Sequence, residues 1–179
     1  MGEPLGPNPV KLFVGLIFNP SVDVDGVQDL LASKIGEVDG ESPTFSFDHT
    51  DYYSEEMGGG LKRKFFSFAA LEDPGCLADR KLLTNEIEGR FAGLSRAKVP
   101  RPINLDPGYV WLSKLVLATT KNYFHRVYIG KGIYAEVTLR FQGGRFVPLP
   151  WTYPDYRSSE YRNYFNRLRD SYKDQLGNV

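Results

Sequence analysis

The chain has 179 residues, 22 Lys and Arg against 22 Asp and Glu, two histidines and one cysteine. A balanced charge excludes a general field for holding nucleic acid or an acidic membrane, and the lone Cys76 excludes an internal disulfide or a site of several thiolates, as suits a reducing cytosol. The Gly- and Pro-rich start over 1–9 lacks the pattern of a signal peptide, and the longest apolar run, Leu12 to Phe18, is far too short to cross a bilayer.

Lys11 to Phe18 is almost wholly apolar, which predicts a central strand covered on both faces, ended by Asn19-Pro20. From Asp25 to Ile35, the residues Val27, Leu30, Leu31 and Ile35 recur at helical spacing, with Asp25 placed as the N-cap and Gly36 as the stop. Thr44 to Thr50 alternates Phe45 and Phe47 with Ser46 and Asp48, as a strand does. An acidic segment over 51–56 and a Gly58-Gly59-Gly60 turn lead into a strand from Leu61 to Ala69. That strand sets Lys62, Arg63 and Lys64 beside Phe65, Phe66 and Phe68.

Asp73-Pro74 starts a second helix, since Asp can accept from free amides and Pro suits the first helical position. Its spacing places Cys76, Leu83, Ile87 and Phe91 on one side and Lys81, Asn85 and Glu88 on the other, and Gly93 stops it. Ile103 to Trp111 is a strand, and Leu112 to Ala118 is read as a helix. Strand, helix, strand, strand, helix, strand is the order of a ferredoxin-like α+β sandwich, here over 10–111 within a single domain spanning 1–179.

The extension over 112–179 opens with a hairpin turning at Gly130-Lys131-Gly132, because glycines supply the positive backbone angles of such turns. Centring the turn on Lys131 sets Tyr128 opposite Tyr134 and Arg126 opposite Glu136. Ile129, Ile133, Ala135, Val137, Leu139 and Phe141 then face the core, and Tyr128, Tyr134, Thr138 and Arg140 share the other face. Gly143-Gly144 turns the chain into Arg145 to Leu149, and the proline-bounded segment to Asp155 is extended. A closing helix from about Ser159 to Leu176 spaces Tyr161, Tyr164, Phe165, Leu168, Tyr172 and Leu176 to pack on the sheet.

Five motifs now stand together: Lys11-Leu12-Phe13-Val14-Gly15-Leu16, Phe47-Asp48-His49-Thr50-Asp51-Tyr52-Tyr53, Asn104-Leu105-Asp106-Pro107-Gly108-Tyr109, Ile133 through Phe141, and Pro150-Trp151-Thr152-Tyr153-Pro154-Asp155-Tyr156. As a set they resemble a bacterial and archaeal family known as domain of unknown function 4416. The resemblance lends no reaction, although members are sometimes loosely labelled GTP-binding proteins. A Gly-x-x-x-x-Gly-Lys-Ser/Thr phosphate loop is missing from the sequence. The nearest approaches, Gly58 to Lys62 and Gly130 to Gly132, fit hairpin turns better, which argues against a conventional GTPase.

The residues support three readings of function. The first is a pocket for a small anionic or nucleotide-like ligand, with Arg126, Arg140, Lys114 and Lys121 holding phosphate or carboxylate and Tyr128, Tyr134 or Trp151 stacking on a ring. In it, Glu136, His125 and Asp106 are the candidates for orienting a donor or moving a proton, while catalysis itself and any cofactor are not written in the sequence. The second is a non-enzymatic adaptor that turns the same aromatic surface to a protein or RNA partner, with Arg162, Arg169 and Lys173 forming a basic stripe diluted by Glu160, Asp170 and Asp174. The third is a metal-dependent hydrolase drawing on Asp48, His49, Asp51 and His125, set against capping and ordinary polar roles for those residues. A two-histidine phosphoesterase is rejected, because Asp51 and Val127 stand where each histidine needs a hydroxyl neighbour. Cys76 at a helix start is read as a core thiol rather than a nucleophile.

Overall fold

All nine residues of β1 (Val10–Phe18) are buried, so the strand that reads as apolar throughout lies at the centre of the sheet. A computed structural model describes residues 2–48, 50, 52–92 and 99–177. The remaining elements in chain order are α1 (Val24–Ile35), β2 (Val38–Glu41), β3 (Phe45–Ser46), α2 (Ser54–Met57), β4 (Lys62–Glu72), α3 (Leu77–Ala92), β5 (Ile103–Val110), β6 (Lys114–Thr119), β7 (Val127–Gly130), β8 (Ile133–Gln142), β9 (Arg145–Pro148) and α4 (Ser159–Gly177). They form a mixed α+β fold on one nine-stranded antiparallel sheet in the order β2-β4-β1-β5-β6-β8-β7, with β3 also on β4 and β9 also on β8.

Alternation along β1 splits the core in two. Leu12, Val14, Leu16 and Phe18 pack with Val27 and Leu31 of α1 and Ile87 of α3 on one face. Phe13 packs on the other face with Tyr161, Phe165, Leu168 and Tyr172 of α4, the residues whose spacing announced that helix. The aromatic excess is spent here: Phe65 lies within 6.3 Å of Phe13, Tyr156, Tyr161, Tyr164 and Phe165, ring centre to ring centre. Among the described residues no helix is long and apolar enough to cross a membrane.

Several elements differ from expectation. Helix α1 is capped by Asp23, which accepts from the Gly26 N–H, rather than by Asp25 in its first turn. The segment Thr44 to Thr50 pairs only through Phe45 and Ser46, and most of the second-strand role passes to β2, whose short Val-Asp-Gly-Glu sequence carries no strand signal. Leu112 to Ala118 is a strand, not a helix: Leu115 and Leu117 join the α4 side while Val116 and Ala118 join the α3 side, and a run apolar on both faces has no period to read. Gly93, expected to end α3, lies outside the described residues.

The hairpin turns at Lys131, in the left-handed region at φ 56°, with Tyr128 opposite Tyr134 as expected, but Gly130 rather than Ile129 faces Ile133, so Ile129 is an extra residue, a bulge, and is exposed rather than core. Strand β8 departs from simple alternation. Its partners run Leu115 to Leu139 and then Val116 to Val137, so Thr138 is an extra residue, a bulge. Ile133 packs on the α3 side with Ala135 and Val137. Beyond the bulge, Leu139 and Phe141 join the α4 side instead. Arg140 is correspondingly carried away from the face of Tyr134 and Glu136, and lies opposite Lys114.

Candidate functional site

The sheet forks between β5 and β6. All of β5 pairs with β1, but only Gly108 to Val110 pair with β6, against Leu115 to Leu117. Gly108 and Pro107 account for both halves of this geometry. A Cβ on Gly108 would lie 2.5 Å from the Val116 carbonyl oxygen and 2.7 Å from Phe13 Cζ, so only glycine lets the strands meet there. Pro107 follows on the way to the fork, on the alternate set of positions whose N–H groups point toward β6, and it has no N–H to give. Beyond it the strands separate around a cleft of about 820 Å³.

Helix α3 takes the place of the missing strand. Lys81 Nζ donates to the Leu105 carbonyl at 2.7 Å, and Glu88 Oε1 accepts from the Leu105 N–H at 2.7 Å. Both side chains thus satisfy backbone groups that a paired strand would have satisfied. Lys81 also reaches Asp106 Oδ1 at 3.3 Å, and Asn104 Nδ2 donates to Asp106 Oδ2 at 2.7 Å. Burial alone would raise the Asp106 carboxyl, but Lys81 and Arg63 more than offset it and hold it below the ordinary carboxylate range. At Glu88 burial prevails over Lys81, and that carboxyl is raised.

Arg63, on β4, forms the deep wall. It is 2% exposed, donates from Nη2 to the Tyr156 hydroxyl at 2.7 Å, and lies 3.7 Å from Asp106. Gly15 on β1 clears its seat, since a Cβ there would come within 3.0 Å of Nη2. Burial works against its charge, but Tyr156, Asp155 and Asp106 outweigh that and hold it protonated more firmly than a free arginine. Arg101 stands nearer the mouth, bonded to Asn104 and paired with Glu56 and Glu88. The Nε atoms of Arg63 and Arg101 are both buried and have no acceptor among the described residues.

The opposite wall is tied to β8. The Glu136 side chain has no exposure and receives Arg126 Nε at 2.8 Å, His125 Nε2 at 3.1 Å and the Thr138 hydroxyl at 3.0 Å. His125 lies flat on Trp151, ring centres 5.3 Å apart, and Trp151 donates to the Val137 carbonyl at 2.8 Å. Arg126 also donates to the Tyr153 hydroxyl at 2.6 Å and to the Lys121 carbonyl at 2.9 Å. Lys121 Nζ in turn reaches the Tyr52 hydroxyl at 2.6 Å and sits over that ring. Behind Tyr52, Tyr53 packs on Phe47 and Met57, and burial pushes its phenol up to about 12.

Residues 8–172 match the family described as a domain of unknown function (DUF4416). The chain belongs to that family. Nothing among curated proteins or solved structures matches it.

In this DUF4416 chain, Arg126, Lys121 and Asp106 line the cleft, while Glu136, His125 and Trp151 stand behind Arg126 as its support. Tyr128 and Tyr134 contact each other on the outer hairpin, away from the cleft. Arg140 and Lys114 are also apart from it, and Lys114 lies over Trp111. Asp48 is exposed; His49 and Asp51 lie outside the described residues, among which no three metal-ligating side chains cluster. Of the basic clusters, Arg63 is buried, Lys64 pairs with Glu41, Arg169 covers Phe141, and Phe66 and Phe68 are core. Cys76 is half-buried rather than core. It bonds to Glu72, and burial together with that carboxylate pushes its thiol up to about 12.

Sequence reading missed Arg63, Lys81, Glu88, Arg101, Tyr52, Tyr53 and Tyr153 as cleft residues. A partial signal existed. The positions 81, 85 and 88 share one stripe of α3, but a polar stripe reads as a solvated helix face unless the strand edge it serves is known.

Proposed function

We propose that the fork between β5 and β6 binds a small anionic, nucleotide-sized ligand. The observation that carries this reading is the pair of guanidinium groups, Arg63 and Arg101, that line a cleft of about 820 Å³. Phosphate or carboxylate oxygens suit guanidinium donors best. Lys121 and Arg126 bring two further cations, and Tyr52, Tyr53 and Tyr153 offer ring surface at the same cleft. Asp106, anchored by Lys81 and Asn104, is the group best placed to accept a hydrogen bond from the ligand.

The order β2-β4-β1-β5 supports a ferredoxin-like base over 10–111, with β6 to β9 and α4 as an extension inside the same domain. We infer a cytosolic protein from the lone thiol and the balanced charge.

Thermal shift tests the reading. ATP, GTP, their monophosphates, inorganic phosphate and dicarboxylates at millimolar concentration form the panel. At least one nucleotide is expected to raise Tm by about 5 °C, and Arg101→Gln to abolish the rise. A flat response to every compound would overturn it.

A further inference from the structure

The free edge of the sheet carries the second feature. Strand β7 ends the strand order, so among the described residues one side of its backbone has no partner strand. Tyr123, Phe124, Val127, Tyr128 and Ile129 are 59%, 82%, 68%, 59% and 38% exposed, five of the nine exposed large hydrophobics among the described residues, in a stretch of seven positions. Edge strands of monomers are ordinarily guarded by charge, proline or brevity against pairing with another chain. Here Val127-Tyr128-Ile129-Gly130 has neither proline nor charge, and only its four-residue length and the bulge at Ile129 guard it.

The geometry points to a second copy of this chain as the occupant, pairing β7 with its twin across a two-fold axis. An antiparallel edge can satisfy its own outward N–H and C=O groups in that arrangement, because each strand supplies what the other lacks. The flanking charges favour it. Arg126 is neutralised by Glu136 and Lys131 is paired with Asp79, so two identical edges meet without like charges facing one another. An apolar strip without net charge offers nothing to attract a strongly charged partner. The area fits as well: five side chains exposed to this degree present roughly 500 Å² of mainly apolar surface, more than half of the ~800 Å² that a stable interface takes from each partner, before backbone is counted.

Centring the axis on Tyr128 sets that ring against its copy and brings Val127 of each chain up to the bulge at Ile129 of the other. Aromatic and β-branched cross-strand pairs of this kind stabilise sheets. The two nine-stranded sheets then become one continuous sheet, with the cleft residue Arg126 two positions along the chain from the axis. The inference is independent of any ligand in the cleft.

Sedimentation velocity at tens of micromolar tests it on the full chain. Wild type is expected at twice the monomer mass, and Val127→Lys and Ile129→Lys each at the monomer mass with melting curves within 2 °C or so of wild type, as suits surface changes. Tyr128→Cys is expected to form a covalent dimer under mild oxidation, because directly opposed Cβ atoms lie about 5 Å apart. A wild-type monomer, or a dimer that both lysine variants leave intact, would overturn the proposal and assign the strip to a different partner.

Discussion

The two guanidinium groups that face each other across the cleft are held in opposite ways. Arg126 has every nitrogen engaged, by Glu136, the Lys121 carbonyl and Tyr153, and is braced from behind by His125 on Trp151. Arg63 is the more deeply buried, yet its carboxylate partner is 3.7 Å away and its Nε is unpartnered. The difference is one of bracing: Arg126 commits three of its five N–H groups to the protein, one at each nitrogen, while Arg63 is seated by packing and by its bond to Tyr156. It also explains why Gly15 and Tyr156 matter, since they fix Arg63 alongside its long salt bridge to Asp106.

The sharpest way to break the comparison is to remove Arg63. Arg63→Ala leaves the buried Tyr156 hydroxyl without its partner, removes one of the two cations beside Asp106 and opens a cavity among the core rings, and is expected to cost about 3–5 kcal/mol in urea unfolding. Gly108→Ala attacks the fork that separates the walls. Its Cβ meets backbone rather than a movable side chain, so a loss near the top of the overpacking range, about 3 kcal/mol, is expected, with a lower Tm as the readout. Glu136→Gln weakens the braced wall and leaves Arg126 a neutral partner, for about 2 kcal/mol. If Arg63→Ala proves milder than Glu136→Gln, the assignment of the two roles is inverted.

Acid titration gives the smallest but most diagnostic effect. Asp106 is held below its ordinary 3.8, so its stabilisation is complete above that value and is lost as pH falls through its lower folded value. The stability gap between wild type and Asp106→Asn should therefore be constant above about pH 4 and close below it. Glu88 is raised, so its ionisation costs stability as pH climbs through its folded value, and Glu88→Gln should gain on wild type over that rise. Parallel pH profiles for the two variants would show that Lys81 does not divide its charge between them unequally, contrary to the geometry.

Much of the scaffold was legible because it rests on local chemistry. The apolar β1, the α4 stripe and the glycine hairpin each declare themselves in consecutive residues, and the Tyr128–Tyr134 pair forms as expected, with a bulge at Ile129 setting the register. The candidate site was legible in part. Arg126, Glu136, His125 and Trp151 were expected together and meet, since their separations are set by one hairpin and one strap. Arg140 was misplaced because the Thr138 bulge adds a residue that no local pattern marks. Arg63, Lys81 and Arg101 escaped notice because their convergence depends on where two strands part company, a property of the assembled sheet.

That Lys81 and Glu88 grip both backbone groups of Leu105 has a mechanical consequence. A pair of rungs from α3 fastens the helix to the rim of the opening, so the two travel as one lever. Pressure on the outer side of that helix is transmitted to the seat of Asp106 without passing through the aromatic interior, and anything that docks there has a handle on the cleft.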